Sequence, residues 1–339
     1  MPPDFAAMIR EVGRGRHGVR DLDRATARTL FDAMLDDTVP ELELGALTIA
    51  FRIKGEALPE MLGFLDALVQ HAARLELPGD ALRPVVLPTY NGARKAPNLT
   101  ALVALMLRRF GIPVLLHGLG DDARDADADD DGDDGGANPR DEGKGAADAA
   151  APLPGTATFG RVTTLAVFRE LGYAPATSLA QAQAQLARER IAYVPIDVLA
   201  PGLARLLARR TRLGVRSSAH TLAKLVDPFG GAGLRVVAVT HPDYLERMRE
   251  VVVASGANAL LMRGTEGEPY ANPRRQPRIE RFERGVATLA VEAEERSEAL
   301  PALPAGTDAV RTALWIEQAL DGAVPVPLPI VNQIACCLP

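Results

Sequence analysis

The sequence predicts an α/β protein, with a small all-helical N-terminal domain followed by a large α/β domain built on a mostly parallel central sheet. Three observations carry this. Residues 4–76 space their apolar side chains at helical intervals and show no alternating strand pattern. From Arg83 onward, short apolar runs alternate with helical stretches, as expected for βαβ units whose strands are covered on both faces. With 339 residues, 47% hydrophobic and 24% charged, the chain has enough apolar surface for a sizeable core, and global disorder is excluded.

In the N-terminal part, Asp21 or Asp23 can cap a helix whose apolar face is Ala27, Leu30, Phe31 and Met34. Leu42, Leu44, Leu47, Ala50, Phe51 and Ile53 make a second helix. Met61, Leu62, Leu65, Leu68, Val69 and Ala72 make a third, with Pro40, Gly55 and Pro59 as punctuation. The expected strands are 85–87, 113–116, 191–196, 234–239, 259–262 and 286–291. Helices are expected over 99–110, 201–212 and 243–255. Two more, over 162–171 and 179–190, follow each other without a strand between them and are expected to complete the helical domain. The domains are therefore expected at 1–78 (helical, completed within 160–190) and at 79–159 with 191–339 (α/β), the latter carrying an acidic insertion at 119–157.

The composition narrows the function classes. Only two cysteines exist, adjacent at Cys336 and Cys337, which rules out a disulfide framework and a cysteine-based zinc finger. Aromatics at 4% argue against a surface built mainly of stacking platforms. No apolar run is long enough for a membrane span, and the N-terminus does not read as a secretory signal, so a cytoplasmic protein is expected. The net charge of −6 is unevenly placed: residues 121–148 carry −9, leaving +3 on the remaining 311. That segment, rich in Asp, Gly, Ala and Pro, is expected to be disordered. Its Asp127-x-Asp129-x-Asp131-Gly132 imitates the start of a calcium loop, but so many aspartates make such a match unsurprising.

Two regions attract a chemical reading. The loop after the first strand, Leu87 to Thr100, joins a strand to a helix, the place where open α/β sheets bind ligands. Asn98 or Thr100 can cap the helix that follows, whose N-terminus favours phosphate, and Arg94 and Lys95 add positive charge. It has one glycine, Gly92, where phosphate-cradling loops normally have several, so an ordinary βα connection is the competing reading. The second region is basic. Residues 198–226 hold Arg205, Arg209, Arg210, Arg212, Arg216 and Lys224 without one acid. On a helix, Arg205, Arg209 and Arg212 share a face. Arg274, Arg275 and Arg278 belong to a further cluster over 273–285, and Arg10, Arg14, Arg20, Arg24 and Arg28 to an N-terminal one. Arginine suits bidentate phosphate contacts, although such faces are often only solvated. His220 can face the cleft between the domains or be structural.

Taken in order, several motifs resemble glycosyltransferase family 3, the anthranilate phosphoribosyltransferase fold. They are Asn98-Leu99-Thr100, His117-Gly118 after the second strand, Arg210 to Arg216, Trp315-Ile316 and Pro325-Val326-Pro327. The resemblance covers nearly the whole chain outside 119–157. It implies a nucleoside phosphorylase/phosphoribosyltransferase-like architecture and a homodimer through the helical domains. It also implies that Asn98 and Thr100 stand at phosphate-contacting positions and that Arg210 stands where an arginine contacts anthranilate. The departures are equally informative. The Gly-Thr-Gly-Gly-Asp that holds phosphoribosyl pyrophosphate in the enzymes is replaced by Thr89-Tyr90-Asn91-Gly92-Ala93, and Lys-His-Gly-Asn-Arg by Leu116-His117-Gly118-Leu119-Gly120. The metal-binding Asp-Glu pair is replaced by Gly264-Thr265-Glu266-Gly267-Glu268, leaving Glu266 and Glu268 as candidate Mg²⁺ ligands. Tyr90 to Arg94, with Arg263 to Pro269, is similar to the YbiB-like branch, which is regarded as non-biosynthetic and nucleic-acid-binding.

The expectation that follows is a homodimer that binds nucleic acid, DNA or RNA, largely independently of sequence and through its basic patches, with no cofactor and no membrane partner. The alternative is a Mg²⁺-dependent phosphoribosyl- or glycosyltransferase acting on an aromatic or base-like acceptor. Its phosphate pocket would comprise Asn91, Gly92, Arg94, Lys95, Asn98, Thr100, His117 and Gly118.

Overall fold

The computed structural model describes residues 3–15, 18–76, 82–120, 160–294 and 302–339. At its centre is a seven-stranded sheet in the order β3-β2-β1-β4-β5-β6-β7. The strands are β1 (Val85–Thr89), β2 (Val114–Gly118), β3 (Ile191–Pro195), β4 (Leu234–Val239), β5 (Ala259–Arg263), β6 (Ile279–Glu283) and β7 (Val286–Val291). β1 to β5 pair in parallel, and β6 and β7 extend the sheet antiparallel. The fold class is as expected from the sequence, apart from β6, which was not foreseen. Apart from Leu119 and Gly120, the acidic insertion and its calcium-loop imitation lie outside the described residues.

β1 to β4 are buried along their whole length because helices cover both faces. Val85, Leu87, Val114 and Leu116 turn to one core, with α5 (Thr100–Arg109), α6 (Thr164–Glu170), α13 (Ala309–Leu320) and α14 (Leu328–Cys337). Val86, Leu115, Val237 and Leu261 turn to the other, with α12 (Pro242–Ala254) and the helical domain. The period of two in the strands thus sorts their residues into two cores.

The helical domain comprises α1 (Phe5–Val12), α2 (Arg24–Leu35), α3 (Glu41–Lys54) and α4 (Leu58–His71). Asp23 caps α2, its carboxylate accepting from the Thr26 N–H at 2.9 Å. Phe64 stacks on Phe31 (4.8 Å between centroids) and meets Phe51 edge-on (5.2 Å), a pair geometry that adds about 0.5–1.5 kcal/mol to simple burial. α4 approaches α2 so closely that a Cβ on Gly63 would lie 2.4 Å from the Arg24 carbonyl oxygen, so a side chain there would drive the two helices apart.

The helices that complete this domain are not those expected. α6 packs on α5 and α13, and α7 (Leu179–Glu189) on β3, so both cover the sheet. The helices that reach α2, α3 and α4 come later in the chain: α9 (Pro201–Ala208) and α11 (Ser218–Ala223) after β3, with the short α8 (Ile196–Leu199) and α10 (Arg210–Leu213) beside them, and α12 after β4. Periodicity reports an apolar face but not which neighbour covers it. The single helix expected over 201–212 is broken at Arg209 into α9 and α10.

One topological feature prepares the functional site. β1 pairs with β2 over its full length, but with β4 only at Val85 and Val86. Chain order reverses between these strands, and beyond Val86 they part. The split explains how Pro88, which lacks an N–H, sits in a central strand: the ladder on that side has already ended. A crevice at the carboxyl ends of the strands, at the point of reversal, is where open α/β sheets bind ligands.

Candidate functional site

Two segments fill the mouth of the split, the loop after β1 and the turn after β5. The turn, Thr265 to Glu268, carries positive φ at both central residues, Glu266 (52°) and Gly267 (81°), the pattern of a type I′ turn. Gly267 is required twice over, by its φ and because a Cβ there would lie 1.8 Å from Asn91 Nδ2. Glu266 has no such freedom; a left-handed backbone is uncommon for glutamate.

Both glutamates are turned into the β1–α5 loop. Glu268 is fully buried, and its Oε1 accepts from the N–H groups of Asn91 (2.8 Å) and Gly92 (2.9 Å). Its Oε2 receives the Thr164 hydroxyl at 3.0 Å, the Thr100 hydroxyl at 3.3 Å and that of Thr89. Glu266 accepts from the N–H groups of Arg94 (3.0 Å), Lys95 (2.8 Å) and Ala96 (2.9 Å), with the Arg161 guanidinium 3.6 Å away. Successive backbone N–H groups converging on an anion form a nest, the device that loops use to hold phosphate. Here the anions are two side chains of the same protein.

Of the residues expected to form a phosphate pocket, Asn91, Gly92, Asn98, Thr100, His117 and Gly118 come together but are buried, while Arg94 and Lys95 are exposed. Asn98 donates through Nδ2 to the Val162 carbonyl and to Thr164 Oγ1 (both 3.1 Å), and its Oδ1 accepts from the Thr100 N–H at the start of α5. His117 lies fully buried with Nδ1 2.7 Å from the Tyr90 hydroxyl; burial pushes its pKa down to about 3, so it carries no positive charge for an anion. Gly118 lets β1 and β2 pack without a side chain between them, since a Cβ would meet Thr89 O at 2.0 Å. Glu266 and Glu268 were expected as Mg²⁺ ligands. Their carboxylate oxygens are instead taken up by the loop's donors, and among the described residues no three His, Cys, Asp or Glu side chains cluster as a metal site. The residues present do not fit the ion.

The basic stretch 198–226 is also rearranged by the fold. Arg205, Arg209 and Arg212 all turn to the connection between α2 and α3, although the chain divides into two helices at Arg209. Arg205 donates to the Leu35 carbonyl at 2.7 Å. Arg209 and Arg212 hold Glu41 at 2.7 and 2.8 Å, and Asp37 stands 3.3 Å from Arg209. Hydrogen bonds from Arg212 and then Arg209 draw the Glu41 pKa down to about 2. The window is acid-free in sequence but not in space. The other clusters are similarly paired: Arg278 with Glu280 and Glu292, Arg14 and Arg20 with Glu11, and Arg24 with Asp66. Arg274 and Arg275 stand exposed in the loop before β6.

A second group of cations lines a cleft. Between the helical domain and the carboxyl end of β4 lies a cleft of about 580 Å³. Among the described residues, Arg52 from α3, Arg216 and Lys224 flanking α11, and Arg247 from α12 line it, against one carboxylate, Glu56. That carboxylate accepts from the Ser218 hydroxyl. Arg52 donates to the Arg216 carbonyl and Lys224 to that of Ala238, so the walls are tied to both domains. Tyr244 is 45% exposed, with the Arg247 guanidinium 5.8 Å from its ring centroid. Burial first, and then the positive charges of Arg216 and Arg210, push the pKa of His220 down to about 3. Sequence reasoning had named Arg216, Lys224 and His220 but missed Arg52, Tyr244 and Arg247. The i, i+3 spacing of Tyr244 and Arg247 on one helix was the available signal.

Comparison with known proteins accords with this architecture. Residues 6–72 match the model of the glycosyl transferase family, helical bundle domain. Over 337 residues, 99% of this chain and 93% of the relative, the sequence is 41% identical to the uncharacterized protein YbiB of Escherichia coli K12. It is 23% identical over 247 residues to the anthranilate phosphoribosyltransferase of Methylocella silvestris, spanning 60% of that protein. Among solved structures, the Thermus thermophilus anthranilate phosphoribosyltransferase superposes with a TM-score of 0.66 at 20% identity, covering 93% of this chain and 83% of that one. The Saccharomyces cerevisiae enzyme, solved with phosphoribosyl pyrophosphate and Mg, gives 0.63 at 12% identity, covering 97% and 85%.

Proposed function

The chain belongs to the family of YbiB, on the glycosyltransferase family 3 fold shared with anthranilate phosphoribosyltransferase, and from that premise we propose that it binds nucleic acid, largely independently of sequence. The observation that carries the reading is the interlobe cleft, with four fixed cations facing one hydrogen-bonded carboxylate. Guanidinium and ammonium groups spread along a cleft suit the regularly spaced charges of a phosphate backbone and read no base edge. Tyr244 adds an exposed ring on which a base can stack. Arg210, whose charge acts on His220, extends the basic track, while Arg209 and Arg212 are held by Glu41; Arg274 and Arg275 add further phosphate contacts.

A homodimer through the helical domain accompanies this reading. Leu42 and Ile53 on α3 are 81% and 80% exposed, and eleven residues, three helical turns, put them on one side. Large apolar side chains exposed on one helix face suit a second copy of the chain. The competing transferase reading has less support, because the loop donors that a sugar phosphate needs already hold Glu266 and Glu268.

The test is fluorescence anisotropy with unrelated oligonucleotides across a salt series, beside calorimetry with phosphoribosyl pyrophosphate and Mg²⁺. Sequence-insensitive binding whose log affinity falls linearly with log salt is expected. No binding at low salt, or Mg²⁺-dependent micromolar binding of the sugar phosphate, would reverse the choice.

A further inference from the structure

We infer that Glu266 is a built-in anion: its carboxylate occupies a nest of three backbone N–H groups that would otherwise take a phosphoryl group, and so keeps the β1–α5 loop closed to phosphate. This inference is independent of nucleic-acid binding in the cleft. Three features support it. The N–H groups of Arg94, Lys95 and Ala96 all converge on this one carboxylate, at 2.8–3.0 Å for the closest contact of each. Arg161 stands behind it at 3.6 Å, a guanidinium suited to a phosphate dianion. Finally, Glu266 reaches the nest only from a left-handed backbone at φ 52°, where glutamate is strained and glycine is not. A strained residue persists where its contacts hold it, and here those contacts are the donors of the nest. Glu268 beneath it is fully buried, whereas the Glu266 side chain keeps 18% of its surface in solvent, so removing Glu266 opens the nest to solutes.

The inference predicts a latent site for inorganic phosphate or a phosphate monoester. In Glu266→Gly the carboxylate is lost and the backbone strain is relieved. If Glu266 only shaped the turn, this variant would be at least as stable as the parent and indifferent to phosphate. As a built-in anion, its loss lowers the melting temperature, and phosphate restores it. At tenfold the dissociation constant, the recovery is about 3 °C. Ionic strength is held constant with chloride, and pyrophosphate is run in parallel to separate a one-phosphoryl from a two-phosphoryl site.

The direct readout is NMR of the amide signals of Arg94, Lys95 and Ala96. Phosphate leaves them unmoved in the parent protein and shifts them saturably in Glu266→Gly. Should that variant not fold, Glu266→Gln keeps an acceptor at the turn while losing the charge, and the same saturable shift is expected. Phosphate-dependent shifts of equal affinity in parent and variant would overturn the inference, as would a folded variant whose loop amides ignore phosphate.

Discussion

The β1–α5 loop and the interlobe cleft offer the same kind of chemistry to opposite effect. Both present donors suited to phosphate, backbone N–H groups in the loop and guanidinium and ammonium groups in the cleft. In the loop the donors are consumed internally, by Glu266 and Glu268. In the cleft, four cations surround one carboxylate, and that carboxylate is held by Ser218. The difference lies in charge: the loop sets carboxylates among its donors, whereas cations outnumber carboxylates among the described residues that line the cleft. Buried donors must be paired, so a carboxylate placed among them ends the matter; cations facing water carry no such obligation.

The largest expected effect tests the loop. Glu268→Ala strips the buried N–H groups of Asn91 and Gly92, and the nearby threonine hydroxyls, of their common acceptor. The loss should reach about 3–5 kcal/mol in urea denaturation, because each orphaned buried donor costs about 1–3 kcal/mol. Glu268→Gln keeps an acceptor oxygen and should lose less than half of that. A Glu268→Ala variant as stable as the parent would show that the loop re-forms around water, and the contrast with the cleft would vanish.

The cleft is tested next. Replacing Arg52, Lys224 and Arg247 together by Ala should weaken every oligonucleotide about equally, by about a hundredfold near 0.1 M salt. The log–log salt slope should flatten by about 2.7, from roughly 0.9 per phosphate contact. Circular dichroism must first show an intact fold, since Arg52 and Lys224 also tie the cleft walls together.

The buried His117 and the half-buried His220 sharpen the comparison through pH. His117 beneath the loop and His220 in the cleft are both held down to about 3 from an ordinary 6.5, so both are neutral when folded. Below about pH 6.5 the unfolded chain binds protons that the folded chain does not, so stability falls as pH falls, with a slope approaching about two protons. Urea titrations between about pH 7.5 and 5 measure this before ordinary carboxylates titrate. Bound nucleic acid should raise the pKa of His220 and leave that of His117 in place, as ring-proton NMR would show.

The smallest effect is expected from Arg209→Ala with Arg212→Ala. These side chains clamp the exposed Glu41, and such solvent-screened surface pairs contribute little to stability. Nucleic-acid affinity should fall far less than in the cleft triple variant. A larger loss here would move the main phosphate contacts out of the cleft and onto the α9–α10 face.

Much of the fold was determined by the sequence alone, because its signals are local. Helical spacing marked α2 to α4, apolar runs marked β1 to β5 and β7, and their alternation specified a parallel sheet with a helical domain before it. β6 escaped because Ile279-Glu280-Arg281-Phe282-Glu283 buries two residues between charged ones, and its arginine belonged to what read as a basic cluster. A partner such as Glu292 for Arg278 comes from just beyond the next strand, outside the cluster. The site depended still more on tertiary structure. Arg209 and Arg212 lie in an acid-free window, yet Glu41 is brought to them from a separate helix. Glu266 and Glu268 have the composition of a hard-metal pair, yet a turn after β5 delivers them to N–H groups more than 170 residues away in sequence. Sequence specifies which groups are present and which local structure they favour. Whether a charge meets water, a ligand or another part of the chain is settled by long-range packing, which brings together partners that no local pattern records.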